Sequence, residues 1–94
     1  MRLPELIPGA ADVEISGLAY DNRAVTRGTL FFCVVGFTRD GHDFADEAVA
    51  RGAAALVVQR PLGVGVPEVL VDDVRAAMPG VAARFHGDPT ARLS

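Results

Sequence analysis

A single cysteine in 94 residues excludes any intramolecular disulfide, and its setting, LFFCVV around Cys33, suits a packed thiol rather than a reactive one. Lysine is absent. The nine basic residues are all arginine, spread from Arg2 to Arg92 without forming a block, and the formal charge is −3. A chain with no positive excess is a poor match for a phosphate backbone, so no nucleic-acid partner is expected. No apolar run approaches the roughly 20 residues that cross a bilayer. The N-terminus MRLPELIPGA lacks a cationic segment followed by an apolar stretch. These absences predict a soluble, unexported chain with no membrane partner, and a cytoplasmic location is compatible with them. Also missing are GxxxxGK[ST], GxGxxG after a strand, paired cysteines and GxSxG. Nucleotide hydrolysis, dinucleotide chemistry, a structural zinc site and a serine nucleophile therefore have no sequence support here.

What is present fits one small domain, because half the residues are hydrophobic and the length allows a single compact core. Leu3, Leu6 and Ile7 suit one helical turn confined by Pro4, Pro8 and Gly9, a packing arm. Val13 to Tyr20 alternates apolar and polar residues with an irregularity at Gly17, as a strand does. Leu30 to Val35 has no polar alternation and is rich in aromatic and branched residues, the pattern of a central strand covered on both faces. A helix is expected to start at Asp43 as its cap, with Asp46 and Glu47 at its positive end, Arg51 at its negative end and Gly52 as a left-handed terminator. Ala53 to Val58 and Pro67 to Val71 read as further strands, and Asp72-Asp73 as a helix entry. Val74, Ala77, Met78, Val81, Ala82 and Phe85 then follow helical spacing, with a kink or break expected near Met78-Pro79-Gly80. Gly87-Asp88-Pro89 stops the helix. The fold class is α/β, a small two-layer or three-layer domain with a central, mostly parallel sheet and flanking helices.

The residues with chemical potential cluster on either side of the Leu30 to Gly36 run. Before it comes Asp21-Asn22-Arg23. Asn offers a donor and an acceptor to a pyrimidine edge or a sugar hydroxyl, and Arg offers a fork of donors to phosphate. The same residues also make a good structural turn, with Arg23 paired to Asp21 or Asp40. After the run come Phe37, suited to packing flat on a base, and Thr38 and Arg39, suited to sugar or phosphate; a solvated loop is the plainer reading. Asp40, Asp43, Asp46 and Glu47 lack the glycine and terminal glutamate of a calcium loop and read as helix-start carboxylates, so no metal site is expected. A Cys33/His dyad has no supporting context.

The succession ISGLAYDNRAVTRGTLFFCVVGFTRDGHDFADEAVARGAAALVV, then VPEVLVDDVRAAM and ARFHGDPTARL, resembles the N-terminal domain of Mur ligases, in particular the MurE type. The likeness rests on order and spacing: a D-S-R turn, a G-D-LF strand entry, a G-x-x-x-DG-x-x-F loop, an A-x-x-x-GA-x-A join and a terminal F-x-G-x-P. It implies a domain over residues 1–88 that holds the uridine diphosphate part of UDP-N-acetylmuramoyl-dipeptide, with residues 89–94 starting a linker to a central domain. By matching position, the resemblance places substrate contacts on Tyr20, Asn22, Phe37, Thr38 and Arg39, with Asp21, Arg23 and Asp40 in support. It implies no catalytic residue and no cofactor in this chain. ATP and Mg²⁺ belong to the central domain, and the choice of diaminopimelate or lysine to the C-terminal one, so the chain alone is expected to be inactive. A MurF-type ligase, or a docking module without nucleotide binding, are the alternatives. The chain departs from the pattern at Asn22, where serine is usual, at Thr29, where aspartate commonly precedes LF, and at Pro79.

Overall fold

The computed structural model describes residues 1–35 and 40–86, and of Asn22 the backbone alone. Four strands, β1 (Gly17–Ala19), β2 (Thr29–Phe32), β3 (Ala55–Val58) and β4 (Glu68–Leu70), form one sheet in sequential order. All three pairings are parallel, with Leu18 opposite Leu30, Leu30 opposite Ala55, and Leu56 opposite Glu68. Three helices accompany them: α1 (Leu3–Leu6), α2 (Ala45–Ala50) and α3 (Val74–Phe85).

The sheet has two buried faces, and alternation along each strand assigns its residues to them. Leu30 and Phe32 of β2, with Ala55 and Val57 of β3, meet Leu3, Leu6, Val74 and Val81 of α1 and α3. Phe31 and Cys33, with Leu56 and Val58, meet Val25, Ala45 and Ala48. Leu62, Val64 and Val66, between β3 and β4, pack on that second side too. All three crossovers thus lie on one face. Sequential parallel strands demand this when every crossover has the same hand, and the opposite face is left to α1 and α3. The domain is three-layered.

Several elements differ from the sequence expectation. The strand expected over Val13 to Tyr20 shrinks to Gly17–Ala19, because Glu14 instead bridges antiparallel to Arg2. This ties the packing arm to the sheet, with Leu3 and Leu6 fully buried. The cap before α2 is Asp40, not Asp43: its carboxylate accepts from the His42 amide and opens a 3₁₀ turn, Gly41–Phe44, that runs into α2. Asp46 and Glu47 do lie in the first turn of α2, and Gly52 has φ +112°. A Cβ on Gly52 would also sit 2.7 Å from the Cα of Arg27, so the position requires glycine twice over.

The C-terminal helix runs without a break from Val74 to Phe85 across Pro79. Pro79 lies on an exposed face, where the donor it lacks is least costly. The entry signal is confirmed, because the Asp73 carboxylate accepts from the amides of Arg75 and Ala76. At Thr29, buried at the start of β2, the hydroxyl accepts from the Thr26 amide at 3.1 Å. An aspartate there would offer the same kind of acceptor. The stop at residues 87–89 and the linker expected beyond lie outside the described residues.

Candidate functional site

Parallel strands end together, so the segments after β1, β2 and β3 emerge at one edge of the domain. The segment after β1 carries Tyr20 to Arg23. Asp21 accepts from the Arg23 amide at 2.9 Å and receives the Arg23 guanidinium through Nε at 3.3 Å and Nη2 at 3.1 Å. The backbone continues as a 3₁₀ turn over Asn22–Ala24. Of the two pairings open to Arg23 in the sequence, the structure therefore selects Asp21. Tyr20 is 70% exposed, an unusual position for the only tyrosine.

Beside this turn lies an open cavity of about 640 Å³. Leu18, Tyr20, Asp21 and Phe32 form one side, and Met78, Pro79 and Ala82 of α3, with His86 just after it, the other. Met78, Ala82 and His86 recur every four residues and so share one helix face. The lining is mainly apolar with a few polar groups, the composition of a small-molecule site. Sequence reasoning missed the helix contribution, since nothing in the order of residues shows which helix face closes on which strand end. The i, i+4, i+8 spacing was the available signal. Pro79, which looked only like a helix interruption, forms part of the wall.

The segment after β2 is described only at its base. Val35 bridges antiparallel to Asp40, and the Gly41 amide donates to the Val34 carbonyl at 2.8 Å. Phe37, Thr38 and Arg39, expected to contact substrate, lie outside the described residues, as does the Asn22 side chain. Asp40 does not reach Arg23. One oxygen accepts from the amide and the Nδ1–H of His42, and the other from Arg60 Nη1 at 3.0 Å. The His42 side chain is fully buried, and its Nε2 accepts the Gln59 amide at 2.9 Å. With Nε2 an acceptor, the proton belongs on Nδ1, facing Asp40. A lone histidine carries no periodic signal, so this cluster was not legible in the sequence.

Burial works against the charge on Asp40, but the His42 amide, the His42 ring and the Arg60 guanidinium outweigh it and hold the pKa at about 2. An acid whose folded pKa lies below its unfolded value stabilises fully above the unfolded pKa, near 4, and loses that contribution as pH falls through the folded one. Between pH about 4 and about 2, Asp40 is therefore expected to withdraw about 2 kcal/mol of stability. Urea unfolding of the chain and of Asp40→Asn should show a gap between the two that narrows across this window. A constant gap would contradict the assignment.

Two further groups complete the local electrostatics. Burial, reinforced by the charges of Asp40 and Glu68, pushes the Cys33 thiol up to about 12, which agrees with the packed thiol expected for it. Glu68 accepts from the amides of Leu62, Gly63 and Val64, so a carboxylate on β4 shapes the loop before it. The Leu62 amide is the main reason its pKa is lowered. Among the described residues no three metal-capable side chains converge, and the chain has no phosphate-binding loop motif.

Residues 14–86 match the model of the Mur ligase family, catalytic domain. The chain belongs to the Mur ligase family. Within it, the chain is 61% identical over 80 residues to the UDP-N-acetylmuramoyl-L-alanyl-D-glutamate--2,6-diaminopimelate ligase of Geobacillus kaustophilus, covering 85% of this chain and 16% of that protein. The ligase of the same name from Geobacillus thermodenitrificans is 59% identical over 93 residues, which cover 98% of this chain and 19% of the relative. This Mur ligase chain thus spans less than a fifth of either of these two relatives. Among solved structures it is similar to MurF from Acinetobacter baumannii, with TM-score 0.70 and 27% identity over 78% of this chain and 16% of that one. It is also similar to MurF from Thermotoga maritima in complex with ADP, with TM-score 0.66 and 30% identity over 76% of this chain and 17% of that one. The expected Mur ligase fold class is therefore observed.

Proposed function

We propose that this domain holds the uridine diphosphate part of UDP-N-acetylmuramoyl-dipeptide for a cytoplasmic ligase that adds diaminopimelate, or lysine, to a peptidoglycan precursor. The observation that carries the reading is the cavity at the strand ends, with Tyr20 and Asp21 in its lining. Its apolar wall suits the faces of a planar base, and the Asp21–Arg23 turn lies beside it. The Asn22 amide would supply the donor and acceptor for a uracil edge or ribose hydroxyl, and Phe37, Thr38 and Arg39 the contacts to base, sugar and phosphate. Asp21 orients Arg23, and Asp40 fixes the base of the second segment. Carboxylate activation and amino-acid selection belong to parts of the ligase outside this chain, with ATP and Mg²⁺ in a central domain joined beyond residue 88.

The MurF-type reading is kept in view by the structural neighbours. Identity of 61% to a diaminopimelate-adding ligase, against 27% to MurF, favours the MurE type.

A ligand normally gripped by several domains binds weakly to one, because the effective concentration conferred by the others is lost. Titration of ¹⁵N-labelled chain with UDP, then with UDP-N-acetylmuramic acid, is expected to give a Kd on the order of millimolar. Amide shifts should concentrate at Tyr20 to Arg23, Phe37 to Asp40 and Met78 to Ala82. Shifts confined to the Glu68 loop or to α1 would remove the site from this edge.

A further inference from the structure

The His42 ring lies at the centre of a hydrogen-bond chain that passes from one face of the sheet to the other. Asp40 holds Nδ1, Nε2 accepts the Gln59 amide, and the Gln59 side-chain oxygen in turn accepts the Val74 amide at 3.0 Å. Val74 is the first residue of α3, whose later turns line the cavity. The Asp40–Arg60 pair ties the His42 turn to the end of β3, and the Gln59 side chain carries the connection on to α3. We propose that His42 is a proton-sensitive latch: its neutral form ties the end of β3 to the start of α3, and its protonated form releases that tie.

The reason is the count of donors. Neutral imidazole with its proton on Nδ1 gives one donor to Asp40 and one acceptor to Gln59. Adding a proton places an N–H on Nε2 against the N–H of Gln59, and two donors cannot share that contact. Gln59 must move, and its oxygen moves with it away from Val74. The charged groups around the ring are Asp40 on its own turn and Arg60 at the end of β3, which occupies the far oxygen of Asp40. Asp40, Glu68 and Arg60 also act on the Cys33 thiol just after β2, and Glu68 is committed to three backbone amides. Asp40 remains a carboxylate throughout the range in which imidazoles titrate, so protonation keeps the Nδ1 contact and sacrifices only the Nε2 one.

Hydrogen exchange and ¹⁵N imidazole shifts of the 94-residue chain, followed from pH about 8 to about 5, test it. Expected are an Nδ1–H tautomer at the upper end and, after correction for intrinsic exchange, a loss of protection of about tenfold at Gln59 and Val74 with the His42 midpoint. Gln59→Ala, which keeps the amide to His42 but removes the side-chain link, should lower protection at Val74 at every pH and abolish its step. An Nε2–H tautomer would overturn the proposal. So would Val74 protection that is flat across the His42 titration, a step at Val74 that survives in Gln59→Ala, or a His42 that stays neutral until the whole domain unfolds.

Discussion

Replacing His42 with alanine is expected to destabilise the domain by about 3–4 kcal/mol. Two losses add. The part-buried bond from the Gln59 amide loses its acceptor, at about 1 kcal/mol, and removal of a fully enclosed ring leaves a void beside Asp40 that costs about 2–3 kcal/mol more. Asp40 itself is less exposed to the change, because the residue-42 amide and Arg60 remain as donors. For a domain of this size, with a total stability of about 5–14 kcal/mol, the loss is a large share. It corresponds to a fall in Tm of roughly 15–25 °C. Urea and thermal unfolding of the two chains measure it. A change below about 1 kcal/mol would mean that the ring is not a buried link between strand ends.

The second large effect is expected from Gly41→Ala, at about 2–4 kcal/mol. A Cβ at residue 41 would lie 2.6 Å from the Val34 amide nitrogen, 2.8 Å from the Cys33 carbonyl carbon and 2.9 Å from the Cys33 Cα. All three are backbone atoms, and they cannot withdraw cheaply. Cys33 is held on its other side by its amide bond to the Val57 carbonyl, and Gly41 is drawn inward by its own bond to Val34. Gly17→Ala is the control, since a Cβ there meets nothing within 4 Å. It should fall within about 0.5 kcal/mol of the parent. If Gly41→Ala behaved like the control, the close approach of the 40–41 turn to β2 would be wrong, and with it the base of the proposed ligand segment.

The difference between these two positions shows what a residue order reveals. Gly52 was legible as a helix terminator because a left-handed cap has a local signature, a glycine after the last apolar residue of a helix. Gly41 was not legible in the same way. Its necessity comes from the backbone of β2 lying against it, a contact that no local pattern encodes. Asp40 and Asp43 posed a related ambiguity, since both stand before the apolar face of α2 and either frame provides a cap. The choice of Asp40 follows from the burial of His42, which requires a partner for Nδ1.

The candidate site divides along the same line. The Asp21–Arg23 turn could be read locally, because short polar side chains bond to amides two residues on. The cavity beside it required Leu18 to Asp21 to meet Met78 to His86 across nearly the whole chain, and the sheet alone decides that meeting.

Residue order was thus sufficient for the strands of unbroken apolar residues, the Asp73 cap, the packed Cys33 and membership of the Mur ligase family. Each is carried by neighbours in the chain or by spacing along it. Which face of the sheet each helix covers, the reach of Glu68 to three amides, the burial of His42 between Asp40 and Gln59, and the closure of α3 over the end of β1 were left to the tertiary structure. Those depend on all crossovers lying on one side of the sheet, a property of the assembled strands that no single segment possesses.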